Sequence, residues 1–327
     1  MSSPQQQHQQ LEVMVRSVTW ESPLINSWEL RLPGGGELPP FEAGAHIDVH
    51  LANGMIRSYS LVNSENDRDR YVIAVQKDRA SRGGSRFLHE KLHAGHKLPI
   101  TAPRNNFPLE QNAPHSLLIA GGIGITPILC MTRRLTELGK SWELIYCSRT
   151  RDETAFLDDV AKLEAASAGK GKVRLNFDHE PGGKMLDIPA VFAAAAKDTH
   201  FYCCGPIPML EAFEKSGAGR PPEQVHLEYF TAKEAPATAG GFTVALAKSG
   251  KEVFVPEGKT ILDALLDAGI DAPYSCTEGV CGTCEIRVLE GTPDHRDLVL
   301  TTAEREASKT MMICCSGSKS ARLVLDL

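Results

Sequence analysis

The stretch Cys276-Thr-Glu-Gly-Val-Cys281-Gly-Thr-Cys284 decides the fold of the last third of this 327-residue chain. Its C-x₄-C-x₂-C spacing is typical of the loop that supplies three of the four thiolate ligands of a plant-type [2Fe–2S] cluster. Iron bridged by sulfide needs soft anionic ligands, and the loop glycines Gly279 and Gly282 let backbone N–H groups turn toward the sulfurs. The sequence therefore predicts an iron–sulfur site at Cys276, Cys281 and Cys284.

The fourth ligand has to come from later in the chain, where Cys314 and Cys315 are neighbours. Each tetrahedral iron takes two protein thiolates, so both cysteines cannot be ligands in the usual geometry, and we favour Cys314. The alternatives are a zinc knuckle or a group of buried thiols. Zinc sites favour C-x₂-C pairs at two places, and this chain has only one such pair, so the spacing favours the cluster.

Charge and composition narrow the classes of function. The formal charge is −6 and no long basic run occurs, which argues against a nucleic-acid partner and against a polybasic membrane anchor. No apolar stretch approaches the ~18 residues that a membrane span needs, and the polar start of the chain lacks a signal-peptide pattern. We expect a monomeric cytoplasmic protein with reduced thiols and a disordered tail over residues 1–10.

The chain before residue 112 has the pattern of a β-barrel. Short alternating apolar runs, such as residues 47–51 and 71–75, are separated by Gly, Pro and Asn and predict an antiparallel barrel over residues 11–111. One helix is expected to interrupt the barrel, with Ser85 as its N-cap.

From about residue 115 strands and helices alternate, which predicts an α/β domain with a parallel sheet over residues 112–230. One of its helices is expected at residues 153–163. A stretch rich in Ala, Pro, Thr and Gly at 231–241 carries little that can pack and predicts a linker. Residues 242–327 then predict an α+β ferredoxin domain of the β-grasp type, with a helix that Thr260 and Asp263 open as a capping box.

Two turns of the α/β domain have the features of a nucleotide site. Gly121, Gly122 and Gly124 follow a strand and open a helix, where bare N–H groups and the helix dipole favour a pyrophosphate. A second strand-to-helix turn, Cys204-Gly205-Pro206, is expected to face the first across a crevice. The alternatives are a merely tight connection and, for Cys204, a small buried side chain.

The stretch Arg57-Ser58-Tyr59-Ser60 combines a cation, an aromatic ring and hydroxyl groups on one barrel strand. Such groups can hold a planar, electron-rich ring and stabilise the negative charge that it gains on reduction. An exposed strand with a chance arginine is the alternative that these residues leave open.

The order of the R-x-Y-S element, the turn at 121–127, the Cys-Gly-Pro turn and the cysteine loop resembles the phthalate dioxygenase reductase family, in the ferredoxin-NADP⁺ reductase superfamily. The resemblance covers nearly the whole chain after residue 10 and extends to His295-Arg296-Asp297 and to the ending at 319–327. It implies electron transfer from NADH through FMN and the [2Fe–2S] cluster to the Rieske centre of a separate terminal oxygenase. Such an oxygenase would act on an aromatic acid, an aryl ether or a small quaternary amine.

The resemblance also implies roles for individual residues. The flavin ring and ribityl chain would contact Arg57, Tyr59 and Ser60, and Phe230 would lie near the flavin face. The FMN phosphate would lie at Gly83, Gly84 and Ser85, with Arg82 nearby. Thr126 and Cys204 would flank the nicotinamide, and the family pattern agrees with Cys314 as the fourth iron ligand.

The sequence leaves open the choice between NADH and NADPH and the choice between FMN and FAD. Ser148 and Arg149 end the second strand of the α/β domain, and such a pair can meet a 2′-phosphate in related enzymes, so NADPH stays open although the family favours NADH. Asp178 either contacts the nucleotide or caps a turn. FAD is the alternative to FMN, since both flavins present the same ring.

Two other classes of function compete with an oxygenase reductase. A redox sensor would carry a DNA-binding or signalling module, and none is recognisable. A reductase of a diiron monooxygenase usually has its ferredoxin domain first, which is not the order here. Residues 241–327 carry 13 acidic and 9 basic residues, a formal −4, which favours a partner with a basic patch.

Overall fold

The computed structural model describes residues 10–78 and 83–327, and it divides the chain after Glu228 into an N-terminal and a C-terminal unit. The tail predicted over residues 1–10 lies almost entirely outside the described residues. The N-terminal unit contains both the barrel strands and a parallel sheet. The predicted division between them at residue 111 stays a prediction.

Six antiparallel strands form the first sheet in the order β4-β3-β6-β1-β2-β5. A bridge between Leu61 and Ile73 and a hydrogen bond from Val62 N–H to the Val72 carbonyl join the two edge strands, so the sheet closes as predicted. Trp28 and Tyr71 are fully buried inside it. The strands are β1 (Gln10–Ser22), β2 (Ile25–Arg31), β3 (His46–His50), β4 (Ile56–Ser60), β5 (Tyr71–Gln76) and β6 (Lys97–Thr101).

Helix α1 (Gly84–Lys91) lies between β5 and β6, where one helix was expected, but its cap differs from the prediction. Gly83 is the N-cap residue, with a φ of 107°, and no side chain caps the helix. Ser85 lies one residue inside the helix, and its hydroxyl accepts a hydrogen bond from Asp78 N–H. The prediction of Ser85 as N-cap is wrong, because the left-handed backbone that begins this helix favours glycine.

The second sheet has five parallel strands in the order β11-β10-β7-β8-β9. Parallel pairing follows from the alternation of strands and helices. The strands are β7 (His115–Gly121), β8 (Trp142–Ser148), β9 (Gly171–Phe177), β10 (Thr199–Cys204) and β11 (Val225–Glu228). The helices are α2 (Ile125–Glu137), α3 (Leu157–Ala166), α4 (Ile188–Ala194) and α5 (Ile207–Gly217).

Helix α3 begins four residues later than predicted. Thr154 closes a turn instead, donating its hydroxyl to the Thr150 carbonyl and its N–H to the Arg151 carbonyl. Asp158 and Asp159 supply the acidic first turn that was expected from residues further upstream.

The C-terminal unit is built on a mixed five-stranded sheet in the order β13-β12-β18-β14-β16, with a separate two-stranded ribbon. The capping box is confirmed, since Thr260 and Asp263 exchange side-chain to backbone hydrogen bonds of 3.0 and 3.1 Å. The elements are β12 (Phe242–Leu246), β13 (Glu252–Val255), α6 (Ile261–Asp267), β14 (Glu285–Glu290), β15 (Pro293–Asp294), α7 (Thr302–Ala307), β16 (Thr310–Met312), β17 (Gly317–Ser318) and β18 (Arg322–Leu325).

The segment predicted as a linker, residues 231–241, belongs to the C-terminal unit and is attached to the rest of it. Ala237 N–H donates to the Cys315 carbonyl at 2.8 Å, and the Thr238 carbonyl accepts from Gly258 N–H at 2.8 Å. Glu234 forms an ion pair of 2.9 Å with Arg296. The segment therefore packs more than its composition suggests, because backbone hydrogen bonds and an ion pair attach it.

Helix length bears on membrane association. Among residues 10–78 and 83–327, none of the helices has the length and apolar character that a bilayer crossing requires.

Candidate electron-transfer sites

Two turns lie against each other at the carboxyl ends of β7 and β10. The 3₁₀ turn Gly122–Gly124 follows β7 and leads directly into α2, and Gly205 follows β10. A Cβ atom on Gly124 would lie 2.2 Å from the Cys204 carbonyl oxygen, so only glycine allows this approach. The glycine turn at the start of α2 thus brings bare backbone into the crevice between two parallel strands, where a pyrophosphate binds well.

The approach of the two turns extends to their flanking residues. A Cβ atom on Gly121 would lie 2.6 Å from Pro206 Cδ. Thr126 is buried in the first turn of α2 and donates its hydroxyl to the Ile123 carbonyl at 3.1 Å. The structure therefore brings together the residues predicted for this end of the dinucleotide, namely Gly121, Gly122, Gly124, Thr126, Cys204, Gly205 and Pro206.

A carboxyl group joins this crevice to the barrel. The Ser60 hydroxyl at the end of β4 donates to Glu228 Oε2 at 3.5 Å, and Glu228 pairs with Cys204 in the register of β11 and β10. Although Glu228 as a whole residue is half-buried, its carboxyl group is enclosed by protein, and this burial raises its pKa to about 8. Burial, followed by the neighbouring Glu228, raises the pKa of Cys204 well above its usual range. Both groups are therefore uncharged at neutral pH.

Glu228 is a candidate functional residue that the sequence reasoning missed. Its strand has neither a glycine turn nor spaced cysteines, and Ser60 is 168 residues away in the chain. One signal was available, because Glu228 ends a strand next to Cys204 at the sheet edge where ligands of parallel sheets bind.

Arg57 lies over the start of helix α1. A Cβ atom on Gly84 would lie 2.9 Å from both Cγ and Nε of Arg57, and Arg57 Nη1 donates to the Ile56 carbonyl at 2.8 Å. The guanidinium group and the N-terminal end of α1 are therefore neighbours. A cation beside the N-terminal end of a helix fits a phosphate group such as that of FMN.

Tyr59 follows Arg57 by two residues on β4, so both side chains point to the same face of the barrel wall. Burial raises the pKa of the Tyr59 hydroxyl, an effect that Arg57 partly offsets, so the phenol stays protonated and able to donate a hydrogen bond. A neutral aromatic ring beside a cation fits the edge of a flavin ring.

The other residues predicted for the flavin site have different outcomes. Gly83 and Ser85 lie at the start of α1, close to Arg57 in the fold. Arg82 lies outside the described residues. Phe230 belongs to the C-terminal unit, and its place at the flavin face stays a prediction.

The outer end of the nucleotide site lies after β8 and β9. Asp178 N–H donates to the Ser148 carbonyl at 3.2 Å, and His179 N–H donates to the Arg149 carbonyl at 2.9 Å, so the two predicted loops are joined. Among the described residues, Asp178 Oδ1 is buried without a hydrogen-bond partner. An unsatisfied buried carboxylate oxygen fits a ligand hydroxyl group such as that of a ribose.

The predicted iron ligands are buried together in the C-terminal unit. Cys276 lies beside Cys281, and Cys314 lies beside Cys284 and Cys315. The four predicted ligands thus lie next to one another, which suits a [2Fe–2S] cluster that takes four protein thiolates. Their burial and soft sulfur donors fit the cluster.

Electrostatics in the cysteine loop also suit bound iron. The neighbouring Cys276 lowers the pKa of Cys281, and Cys281 in turn raises the pKa of Cys276. Glu278 N–H donates to Cys276 Sγ at 3.3 Å, as expected for a loop that turns its backbone toward the sulfurs. Gly279 and Gly282 permit this turn with φ values of 71° and 75°.

Comparison with known families places two domains on these sites. The oxidoreductase NAD-binding domain matches residues 118–215, which span most of the parallel sheet. The 2Fe-2S iron-sulfur cluster binding domain matches residues 244–318, which include all five cysteines of the C-terminal unit.

Two relatives are similar over nearly the whole chain. The chain is 50% identical over 318 residues to the phenoxybenzoate dioxygenase subunit beta of Ectopseudomonas oleovorans, covering 97% of each protein. It is 52% identical over 319 residues to the tetrachlorobenzoquinone reductase of Sphingobium chlorophenolicum, covering 97% of this chain and 98% of that one.

Two solved structures have the same architecture. A phthalate dioxygenase reductase, described as a modular structure for electron transfer from pyridine nucleotides to [2Fe–2S], matches with a TM-score of 0.74 and 38% identity, covering 97% of this chain and 98% of that one. A type IV self-sufficient cytochrome P450 monooxygenase matches with a TM-score of 0.85 and 39% identity. This chain covers 41% of that longer protein.

Proposed function

The chain belongs to the phthalate dioxygenase reductase family, and from this membership we propose that its electron acceptor is the Rieske centre of a separate terminal oxygenase. The chain is an oxidoreductase that passes electrons from NADH through FMN and a [2Fe–2S] cluster to an oxygenase component. The observation that carries this function is the presence, in one chain, of a nucleotide crevice joined to a barrel and of a loop whose spaced cysteines are buried together.

We assign the cofactors to domains with the predicted bounds. FMN binds residues 11–111, NADH binds 112–230, the linker is 231–241 and the cluster binds 242–327. FMN, when bound, accepts a hydride and releases its electrons one at a time, as a one-electron cluster requires. The flavin ligands are Arg57, Tyr59, Ser60, Gly83, Gly84, Ser85, Arg82 and Phe230. The iron ligands are Cys276, Cys281, Cys284 and Cys314.

The residues between the proposed NADH and FMN sites orient these two cofactors. Thr126 and Cys204 flank the nicotinamide, and the raised pKa values of Glu228 and Cys204 favour the uncharged form of both groups at neutral pH. No acid or base takes part in hydride transfer itself, so the chain contributes position. Ser148, Arg149 and Asp178 hold the adenosine end of NADH, a role that the unpartnered Asp178 oxygen supports.

The substrate of the partner oxygenase is proposed to be an aromatic acid or an aryl ether. The name of the 50% identical relative, which refers to phenoxybenzoate, supports this class.

The test begins with the absorption spectrum of the purified protein before and after anaerobic addition of NADH, with the released flavin identified and iron counted. We expect FMN, about two irons per chain and bleaching of both chromophores. The reduced protein is then mixed with a purified Rieske-type dioxygenase, whose bands should bleach in turn, more slowly at high salt because the C-terminal unit is acidic. A colourless zinc protein, or an unreduced Rieske centre, would contradict the proposal.

A quinone is the second candidate acceptor, because a relative of 52% identity is named tetrachlorobenzoquinone reductase. Parallel assays with the Rieske protein and with tetrachlorobenzoquinone distinguish the two. Rapid NADH oxidation with the quinone alone would favour this second candidate.

We further propose that the chain is a cytoplasmic monomer. All nine cysteines are free and buried, which suits a reducing compartment. Light scattering of the purified protein should give a mass close to 35.5 kDa, and a dimer would contradict the proposed monomer.

A further inference from the structure

One face of strand β3 carries a row of side chains to which the proposed electron path gives no role. His46, Asp48 and His50 alternate with apolar residues along the strand, so all three point to the same side of the sheet. His46 is 4% exposed and Asp48 is 1% exposed, whereas His50 is half-buried. Three groups that can exchange a proton therefore follow one another from the interior of the N-terminal unit toward its surface.

The buried end of this row lies beside the proposed flavin site. His46 pairs directly with Ser60 in the register of β3 and β4, where facing Cβ atoms lie about 4.5–5.5 Å apart. The Ser60 hydroxyl is the group that donates to Glu228 and that we assign to the flavin. His46 is therefore the next side chain behind a hydroxyl group of the crevice.

The His46 ring is buried and uncharged. Among the described residues, neither of its ring nitrogens has a hydrogen-bond partner. Burial, followed by the charge of Arg104, lowers the pKa of His46 to about 4, so the ring is neutral at neutral pH. A neutral imidazole accepts a proton at one nitrogen and donates one from the other, as a proton relay requires.

Asp48 is held in place in the middle of the row. Its Oδ1 accepts from the Ser58 hydroxyl at 2.6 Å, and its Oδ2 accepts from Arg104 Nη2 at 2.5 Å. The backbone of Arg104 is in turn joined to that of His46 by two hydrogen bonds of 2.8 and 2.9 Å. The carboxylate next to His46 in the row is thus fixed, and Arg104 balances its charge.

The reaction leaves one proton behind for each NADH. A hydride carries two electrons and one proton, whereas a [2Fe–2S] cluster accepts electrons alone, so NADH yields NAD⁺, two electrons and one proton. The electrons leave through the cluster, and the proton has to return to water from the flavin site.

We propose that His46 relays this proton from the Ser60 hydroxyl to Asp48 and His50, which return it to water. His46 accepts a proton at one ring nitrogen and gives one up at the other, so each step forms one N–H or O–H bond as another breaks. The inference rests on the proposed electron path, in which FMN binds at Ser60.

The test compares full-length, FMN-loaded His46→Gln and His50→Gln with wild type, and uses His93→Gln, which removes an exposed histidine of the same unit, as the matched control. Flavin bleaching by NADH in a stopped-flow instrument gives the rate of hydride transfer. A pH-indicator dye in weakly buffered solution, with ferricyanide as electron acceptor, gives the rate of proton release. We expect both variants to slow proton release roughly tenfold or more, and more than hydride transfer, because glutamine cannot relay a proton.

A second readout needs no NADH. In protein with isotopically labelled histidine rings, the NMR signals missing from His46→Gln identify His46. Ser60→Ala should shift these signals, because it removes the hydroxyl group beside the ring. Ser64→Ala, which removes a hydroxyl group that donates to Glu137, should leave them in place.

Proton release that slows no more than hydride transfer in His46→Gln would overturn the proposal, as would His46 signals that do not respond to Ser60→Ala. If His46→Gln no longer binds FMN, His50→Gln decides: slowed proton release supports the relay, and the wild-type rate overturns it. Failure of the proposed function would look different, because wild type itself would then lack FMN or would not be reduced by NADH.

Discussion

At the scale of single residues, the Glu228 carboxyl group couples folding to pH. Burial raises its pKa to about 8, against about 4.3 for an unperturbed glutamate. Between these two pH values the folded chain therefore holds a proton that the unfolded chain releases. The contribution of the protonated carboxyl group to the free energy of unfolding is complete below about pH 4 and is lost as pH rises through 8. We expect Glu228→Gln to melt at a higher temperature than wild type at pH 9, by an amount that shrinks toward pH 5.5.

The melting curves are recorded at pH 5.5, 7 and 9 on flavin-free protein, so that cofactor binding does not mask the effect. Glu37→Gln, which removes an exposed carboxylate of the same unit, is the matched control. A difference between Glu228→Gln and wild type that does not change with pH would show that the carboxyl group titrates normally.

Asp178 is expected to set the choice between NADH and NADPH. A carboxylate at this place accepts from a ribose hydroxyl group and repels a 2′-phosphate, while the adjacent Arg149 attracts that phosphate. We expect Asp178→Asn to raise the ratio of kcat/KM for NADPH to that for NADH by roughly tenfold or more. Steady-state rates with both nucleotides give the ratio. An equal fall in kcat/KM with both nucleotides would show that Asp178 acts only by holding the structure of its turn.

At the scale of elements, helix α1 and strand β4 together form the proposed phosphate site. Removing the guanidinium group in Arg57→Ala takes a cation from the start of α1, so we expect FMN to bind roughly tenfold more weakly or worse. The affinity for riboflavin, which lacks the phosphate, should fall much less.

Fluorescence quenching on titration of flavin-free protein gives both dissociation constants. Arg16→Ala removes an exposed cation from the same barrel and should leave both unchanged. An equal loss of affinity for FMN and for riboflavin would show that Arg57 contacts the flavin ring rather than the phosphate.

The turn between β7 and α2 tolerates no side chain where it meets β10. In Gly124→Ala the added Cβ would collide with the Cys204 carbonyl oxygen, so the backbone of one turn has to move. Displacements of about 1 Å in a hydride-transfer geometry cost up to 10²-fold in rate, and we expect a fall of at least tenfold in kcat/KM for NADH. Gly219→Ala, at a glycine with open space around it, should behave as wild type.

Local sequence patterns predicted most of the fold and some of the site residues. The cysteine spacing, the two glycine turns and the capping box at Thr260 are signals within a few residues, and the resemblance to a family supplied the order of the domains. Contacts between distant segments were not accessible in this way. The hydrogen bond from Ser60 to Glu228 and the packing of Arg57 on Gly84 depend on how the barrel closes and on strand register, which no local pattern contains.

At the scale of the whole molecule, the chain that joins the two units is short. The N-terminal unit ends at Glu228 and the C-terminal unit begins at the next residue, Tyr229, so the two units follow each other directly in the chain. A longer connection lowers the effective concentration of one unit at the other. We expect ten Gly-Ser residues inserted after Lys233 to slow electron transfer from flavin to cluster severalfold and to leave flavin reduction by NADH unchanged.

Stopped-flow absorbance at separate flavin and cluster wavelengths distinguishes the two steps. The same segment inserted in the exposed turn between β12 and β13 is the control for added chain length. An unchanged rate of cluster reduction would mean that the connecting segment does not limit this step.

The burial of all nine free cysteines has a consequence for survival of the protein in air. Reduced flavins and clusters react with oxygen and release superoxide and peroxide, which attack accessible thiolates and carry them toward sulfinic and sulfonic acids. A fold that leaves no thiol at its surface exposes none of them to the oxidants that its own cofactors produce. Oxidative damage to the cysteines therefore requires unfolding or loss of the cluster. The rate at which a thiol reagent labels the protein then measures the rate of these two events.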